Sequence, residues 1–455
     1  MGRCSRAGAI ALAVLAASAC VAPSSRFDRR AALPLDGEVR AIARWLESTA
    51  VRTEHGLKWP VVPDVEPPRF EISLYAGDCG PVLFFCEFAA QPGPERDRLL
   101  SVARAGADEL LATLPAKCEG EGCGLYTGIA GVGFTLEELF RATGDAKYHD
   151  GARRCVDVLH ASARLAGSGI EWSDVTDVIA GSAGIGCFLL DVWGRARAGD
   201  PATSGLALDL ATRAGRRLLD RSQREAVGRS WRMDSSFPRV MPNFSHGTAG
   251  IAWFLARLHE VTHVPEFLDA ARDGADHLLS IADRSDDGCR VYHHTPDGLD
   301  LYYMGWCHGP CGTARLFHEL ARQTGDERYA EAARGCVRSV LSSGLAERRL
   351  PGFWDNVSQC CGSAGVVEFM LERARATGDE SCARFARRVT EDLLARATRD
   401  ERGLRFVQAE HRVKPELLEA QTGYMQGAAG IGIALLHLAA FERGAPPTIV
   451  LPDAR

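Results

Sequence analysis

A Gly-x-x-Gly tetrapeptide followed by an apolar run occurs seven times in this 455-residue chain. The copies are Gly77–Gly80, Gly128–Gly131, Gly181–Gly184, Gly247–Gly250, Gly309–Gly312, Gly362–Gly365 and Gly427–Gly430. Their starts are separated by 51, 53, 66, 62, 53 and 65 residues. One such tetrapeptide says little; seven at near-regular spacing define a repeat architecture, in which each unit buries its apolar face against its neighbours. Each unit holds two helical patterns. After Gly128, a run through Phe134, Leu136 and Leu139 ends at Thr143-Gly144-Asp145, and a second run carries Cys155, Val156, Val158 and Leu159. The punctuation returns at Thr324-Gly325-Asp326 and Thr377-Gly378-Asp379, where Gly suits a left-handed helix end and Asp caps the next helix.

Seven pairs make fourteen helices, from an outer one at about Asp36 to Val51 to an inner one at about Gly427 to Phe441. The inner helices are rich in small residues, as in Gly427-Ala428-Ala429-Gly430, which lets their ends crowd round an axis. The outer ones carry more Arg, Asp and Glu, as a solvent-facing stripe does. Alternating inner and outer helices closed into a ring give an all-α fold, an α/α toroid with seven inner and seven outer helices. An open solenoid is the alternative, and the lack of a polar capping repeat at either end favours closure. The longest connections, at 223–246, 283–308, 344–361 and 398–426, lead to the Gly-x-x-Gly end of the ring and carry Trp231, Trp306 and Trp354 as expected pocket walls.

A net charge of -6 offers no basic footprint for nucleic acid. Arg3 and Arg6 precede an apolar run from Ala7 to Ala17, ended by Ala17-Ser18-Ala19-Cys20. That pattern reads as a secretory signal, too short for a membrane span. Cys20 after small residues resembles a lipoprotein cleavage box, so the expected location is exported, periplasmic or membrane-anchored through a lipid on Cys20; a cytoplasmic chain is the alternative. The expected organisation is a signal at 1–20, a linker at 21–35, the toroid at 36–445 and a tail at 446–455.

The 15 cysteines form no compact disulfide framework. Cys118 and Cys123 either close a small loop or stay free, and Cys155, Cys187, Cys336 and Cys382 read as buried thiols within helices. Aligning the two residues before each first glycine isolates another group: Tyr75-Ala76, Tyr126-Thr127, Ile179-Ala180, Ser245-His246, Cys307-His308, Cys360-Cys361 and Met425-Gln426. Metal-type side chains occupy repeats four, five and six only, which are neighbours in a ring. Cys307, Cys360 and Cys361 therefore converge as three soft ligands of the kind that selects zinc, with a fourth position open. Plain buried cysteines are the alternative; a closed four-thiolate site using Cys311 is disfavoured, because Cys79 holds the equivalent position in repeat one without a partner.

The seven Gly-x-x-Gly units, with Phe244-Ser245-His246-Gly247, Trp306-Cys307-His308-Gly309 and Cys360-Cys361-Gly362, resemble the lanthionine synthetase C family over about residues 36 to 445. The resemblance implies a zinc-dependent α/α toroid that adds a cysteine thiol to dehydroalanine or dehydrobutyrine in a peptide, closing a thioether ring. It implies zinc on Cys307, Cys360 and Cys361, and an active-site role for His246 and for Asp177 in Asp177-Val178-Ile179-Ala180-Gly181. Two positions depart from the usual pattern. His308 follows the first metal cysteine, as in eukaryotic-type relatives, and Tyr303 stands where an arginine is common.

The chemistry agrees with that resemblance. A free thiol, with pKa ~8.5, is mostly protonated at neutral pH, and zinc removes the proton. Three protein thiolates donate more charge than two thiolates and an imidazole, so a bound thiolate is more reactive and more weakly held. Attack on the alkene leaves an enolate needing a proton, for which His246, His308 and Asp177 are the candidates; Asp177 alternatively orients a neighbour or caps a helix. His293-His294 matches no repeat position and is assigned no role. The expected partners are a dehydrated peptide or thiol substrate and a separate dehydratase. Adding a small thiol such as glutathione, and a non-catalytic zinc-containing peptide-binding toroid, are the alternative functions.

Overall fold

The computed structural model describes residues 33–196, 199–285, 288–348, 356–409 and 412–454. The signal segment 1–20, most of the linker, Cys20 and Trp354 lie outside the described residues. In chain order the helices are α1 (Asp36–Thr49), α2 (Cys79–Ala89), α3 (Arg96–Ala112), α4 (Ile129–Thr143), α5 (Ala146–Ser162), α6 (Ser182–Ala196) and α7 (Pro201–Arg221). They continue with α8 (Thr248–Thr262), α9 (Pro265–Ile281), α10 (Pro310–Thr324), α11 (Glu327–Leu341), α12 (Ser363–Thr377), α13 (Glu380–Ala395) and α14 (Ala428–Glu442). Even-numbered helices are the inner ring and odd-numbered ones the outer, so the expected fourteen-helix, all-α toroid is the fold. No helix among the described residues is long and apolar enough to cross a membrane.

The local signals act as read from the sequence. Gly144, Gly325 and Gly378 end α4, α10 and α12 in left-handed conformation, while Asp145, Asp326 and Asp379 cap α5, α11 and α13 through their side chains. The strict second glycine of each tetrapeptide has a steric cause. A Cβ on Gly250 would collide with the carbonyl of Phe244, and one on Gly312 with the carbonyl of Trp306. Six of the inner helices thus start pressed against the carbonyl six residues back, while at Gly80 in α2 the close neighbours are Gly423 and Tyr424; only hydrogen fits in either place.

Ring closure is visible in the backbone. Tyr75 N–H donates to Tyr126 O, Tyr126 to Ile179, Val178 to Ser245, Ser245 to Cys307, Cys307 to Cys360, Cys360 to Met425, and Met425 back to Tyr75, all between 2.7 and 3.1 Å. This circle joins all seven repeats at the position two residues before the first glycine, except that in repeat three Ile179 accepts and its neighbour Val178 donates. It also settles the choice between ring and solenoid, because the last repeat bonds to the first. Helix α1 completes the outer layer by packing beside α14.

Two features were not expected. Five outer helices run on into short antiparallel turns, such as Arg164–Ala166 with Gly169–Glu171 and Thr398–Asp400 with Gly403–Arg405; strands this short carry no readable periodicity. The C-terminal tail is also no appendage. Thr448 and Ile449 N–H groups donate to the Glu87 carboxylate at 3.2 and 2.7 Å. Farther along, Asp453, 1% exposed, pairs with Arg315 at 3.0 Å and accepts from Tyr126 Oη at 2.9 Å. The tail therefore runs inside the ring, and its anchors include residues of α2 and α10.

Candidate metal centre

Cys307 and Cys360 are consecutive members of the backbone circle, and Cys361 follows Cys360. The fold thus brings three sulfurs together from two adjacent repeats. Cys307 Sγ lies 3.3 Å from Cys361 Sγ, and Cys361 Sγ 3.6 Å from Cys360 Sγ. All three ligand atoms lie within 4.8 Å of one another, and no other such group of metal-type side chains occurs among the described residues. Tetrahedral zinc with Zn–S of ~2.3 Å requires sulfurs ~3.8 Å apart. The donor set and spacing therefore fit a metal ion. Cys307 and Cys360 are buried and Cys361 is partly exposed, which leaves one side of the site facing solvent. Cys311 is buried in α10 and stands outside the group, as expected.

The three thiols hydrogen-bond to one another. Hydrogen bonds from Cys307 and then Cys361 hold the Cys360 thiol well below its usual range, against the effect of burial. Burial first pushes Cys307 up, and hydrogen bonding to Cys307 and Cys360 pushes Cys361 up. One thiolate thus forms readily, while the second and third need a cation to offset their charge.

Beside the sulfurs stands a carboxylate–imidazole pair. His246 Nδ1 is 2.6 Å from Asp177 Oδ2. The other carboxylate oxygen, Oδ1, accepts from Ala180 and Gly181 N–H at 2.8 and 3.0 Å. Asp177 therefore does both things left open by the sequence: it secures the turn into α6 and orients His246. Burial lowers the His246 pKa, but the hydrogen bond and charge of Asp177 outweigh it, and the net shift is upward.

His308 is different. Its ring lies 5.6 Å from that of His246 and stacks on His293 at 3.9 Å and 25°. Burial, followed by the neighbouring histidines, lowers its pKa well below the usual value, and its Nδ1 has no hydrogen-bond partner.

Sequence reasoning missed several neighbours. His293, assigned no role, packs on both His308 and Tyr303 and meets His294 Nδ1 to Nδ1 at 2.7 Å. Burial and the charge of His294 bring the His293 pKa down to about 3. Tyr303 is 3% exposed; burial and then the Cys361 and Cys307 sulfurs push its pKa up, and the charge of Arg412, from the loop before α14, opposes them. A cation thus stands beside Tyr303 although none is encoded there. Tyr75, from repeat one, reaches Cys360, and only its register in the repeat alignment could have pointed to it. Trp306 lines the inner wall between Tyr126 and Phe244. Trp231 does not wall the pocket: it is fully buried and donates Nε1–H to Leu218 O at 2.7 Å, as Trp59 and Trp172 do to the ends of earlier outer helices.

A family model described as lanthionine synthetase C-like protein matches residues 68–451. The chain belongs to the lanthionine synthetase C-like family. Among solved structures, nisin cyclase shares this toroid with a TM-score of 0.61 at 16% identity, covering 91% of this chain and 95% of that one. The Lin0763 protein from Listeria innocua aligns with a TM-score of 0.49 at 12% identity, covering 90% and 97%. A search of curated proteins found no match. In this lanthionine synthetase C-like chain, the expected ligand positions Cys307, Cys360 and Cys361 are the ones that the ring brings together. Cys118 and Cys123 are joined by a disulfide, with Cα atoms 5.3 Å apart.

Proposed function

We propose that this protein is a zinc-dependent thioether synthase that adds a cysteine thiol to dehydroalanine or dehydrobutyrine within a peptide. The observation that carries the reading is three convergent sulfurs beside the Asp177–His246 pair, at the partly open mouth of a lanthionine synthetase C-like toroid. Cys307, Cys360 and Cys361 would hold the zinc, which when bound favours the thiolate form of a substrate thiol at neutral pH. Asp177 fixes the imidazole of His246 through Nδ1, so that Nε2 carries the exchangeable proton. The upward shift of His246 keeps that proton available near neutrality.

In the reaction a carbon–sulfur bond forms at the β-carbon and the alkene π bond breaks. The electron pair moves to the enolate oxygen, and His246 returns a proton to the α-carbon. The proton lost from the thiol balances the one delivered. Arg412, whose charge reaches Tyr303, would supply a cation toward the developing negative charge. His308, buried and held neutral, serves as a wall rather than the acid.

The alkene would come from a separate dehydrating enzyme. The basic, apolar and small-residue pattern of residues 1–20 and the Cys118–Cys123 disulfide support an exported protein. The test is an assay of a dehydroalanine peptide bearing a free cysteine, with glutathione as a second donor. Wild type should lose the alkene and form an intramolecular thioether, and His246→Asn should be slower by ~10²–10⁴-fold while retaining its metal. Product with glutathione alone would transfer the reading to small-thiol addition. No product with either donor would leave a peptide-binding toroid and overturn the synthase.

A further inference from the structure

Tyr75 occupies, in repeat one, the register that Cys307 and Cys360 occupy in repeats five and six. Because Cys360 N–H donates to Met425 O and Met425 N–H to Tyr75 O, only one repeat separates Tyr75 from Cys360 round the circle. A phenol spans that gap. Its hydroxyl donates to Cys360 Sγ at 3.6 Å, within the longer reach of sulfur acceptors. The donor role is forced from the other side. Gln426 Nε2 donates to the Tyr75 oxygen at 3.1 Å, and Gln426 Oε1 accepts from Asn356 Nδ2 at 3.3 Å. Gln426 and Asn356 are 3% and 1% exposed, so this amide is held with its NH2 toward Tyr75, and the hydroxyl hydrogen is left for the sulfur.

We propose that Tyr75 is a positioning residue that donates a hydrogen bond to the Cys360 sulfur, fixing it as a metal ligand and shielding it from the alkene electrophile. The inference rests on the reading of Cys307, Cys360 and Cys361 as the metal site. Three thiolates leave a divalent ion with excess negative charge even before a substrate thiolate joins. Every sulfur in such a set is a nucleophile, so a ligand sulfur competes with the substrate for the alkene. A hydrogen bond to sulfur withdraws charge from it, and partners of this kind orient ligands and strengthen metal binding.

The experiment compares wild type, Tyr75→Phe and Gln426→Leu as zinc-loaded and cobalt-substituted full-length proteins. Zinc affinity is measured by chelator competition and the sulfur-to-cobalt charge-transfer band by absorption. Alkylation of Cys307, Cys360 and Cys361 by iodoacetamide is resolved by mass spectrometry. Tyr75→Phe keeps the ring and loses only the hydroxyl. It should weaken zinc binding about tenfold, shift the band and make Cys360 the fastest of the three to alkylate. Gln426→Leu should move each readout the same way by less, and it decides the matter should Tyr75→Phe fail to fold. Wild-type affinity, band and alkylation order in a folded Tyr75→Phe, or in Gln426→Leu where that variant decides, would overturn the Tyr75 inference alone. Wild type that binds neither zinc nor cobalt would overturn the metal reading and this inference with it.

Discussion

Replacing Asp453 by Ala tests whether the tail lies inside the ring. The Asp453 side chain is 1% exposed and its partner Arg315 16%. The carboxylate accepts from Arg315 at 3.0 Å and from Tyr126 Oη at 2.9 Å. Removing one partner of a buried ion pair costs ~3–5 kcal/mol, because the other charge stays behind. Arg315 keeps one acceptor, the Asp453 carbonyl at 2.8 Å, so the lower end, ~3 kcal/mol, is the better estimate. At ~2.1 cal/mol/K per residue, roughly 400 ordered residues give an unfolding entropy of ~0.8 kcal/mol/K, so the melting temperature should fall by ~3–4 °C. Calorimetry with matched zinc content measures this. Pairing Arg315→Met with Asp453→Leu removes both charges and should recover most of the loss. A melting temperature within about 1 °C of wild type for Asp453→Ala would refute the buried pair and the lumenal course of the tail.

Three further outcomes follow from the site and the ring. Asp177→Asn removes the main influence raising the His246 pKa, so the alkaline limit of the rate–pH profile should move to lower pH. The stabilisation from this pair is full below the unfolded histidine value and fades as pH rises through the raised native one, so wild type and variant should converge in stability at high pH. An unmoved alkaline limb would remove His246 as the acid. Arg412→Ala should slow turnover by up to ~10²–10³-fold without changing zinc content, the scale of losing one donor to a developing oxyanion; an unchanged rate would show that Tyr303 and Arg412 take no part. Gly312→Ala forces a Cβ against the Trp306 carbonyl, one residue before Cys307, and should lower both melting temperature and zinc affinity. Normal values for both would separate the glycine repeat from the metal-site geometry.

The sequence carried the architecture because the information was repeated. Seven glycine pairs, three Thr-Gly-Asp turns and the alternation of small-residue and charged helices all pointed to one ring, and aligned register alone placed Cys307 beside Cys360. The missed features lack that redundancy. His293 lies in a loop outside the repeat, and its role comes only from stacking on His308. Arg412 reaches Tyr303 from a loop more than a hundred residues away. The tail is only ten residues long, and its anchoring depends on Glu87, Arg315 and Tyr126, in three different repeats. Trp231 differs from the expected pocket wall for the opposite reason: it sits in a loop, but its indole belongs to the recurrent packing that also buries Trp59 and Trp172.

The proposed chemistry depends first on Cys307, Cys360 and Cys361 holding a metal ion. Elemental analysis of purified wild type beside Cys360→Ala tests it most directly. About one zinc per chain in wild type, and loss of most of it in Cys360→Ala with the helical circular dichroism unchanged, is the predicted result. Wild type without zinc after exposure to the metal, or a folded Cys360→Ala that keeps the full complement, would contradict it.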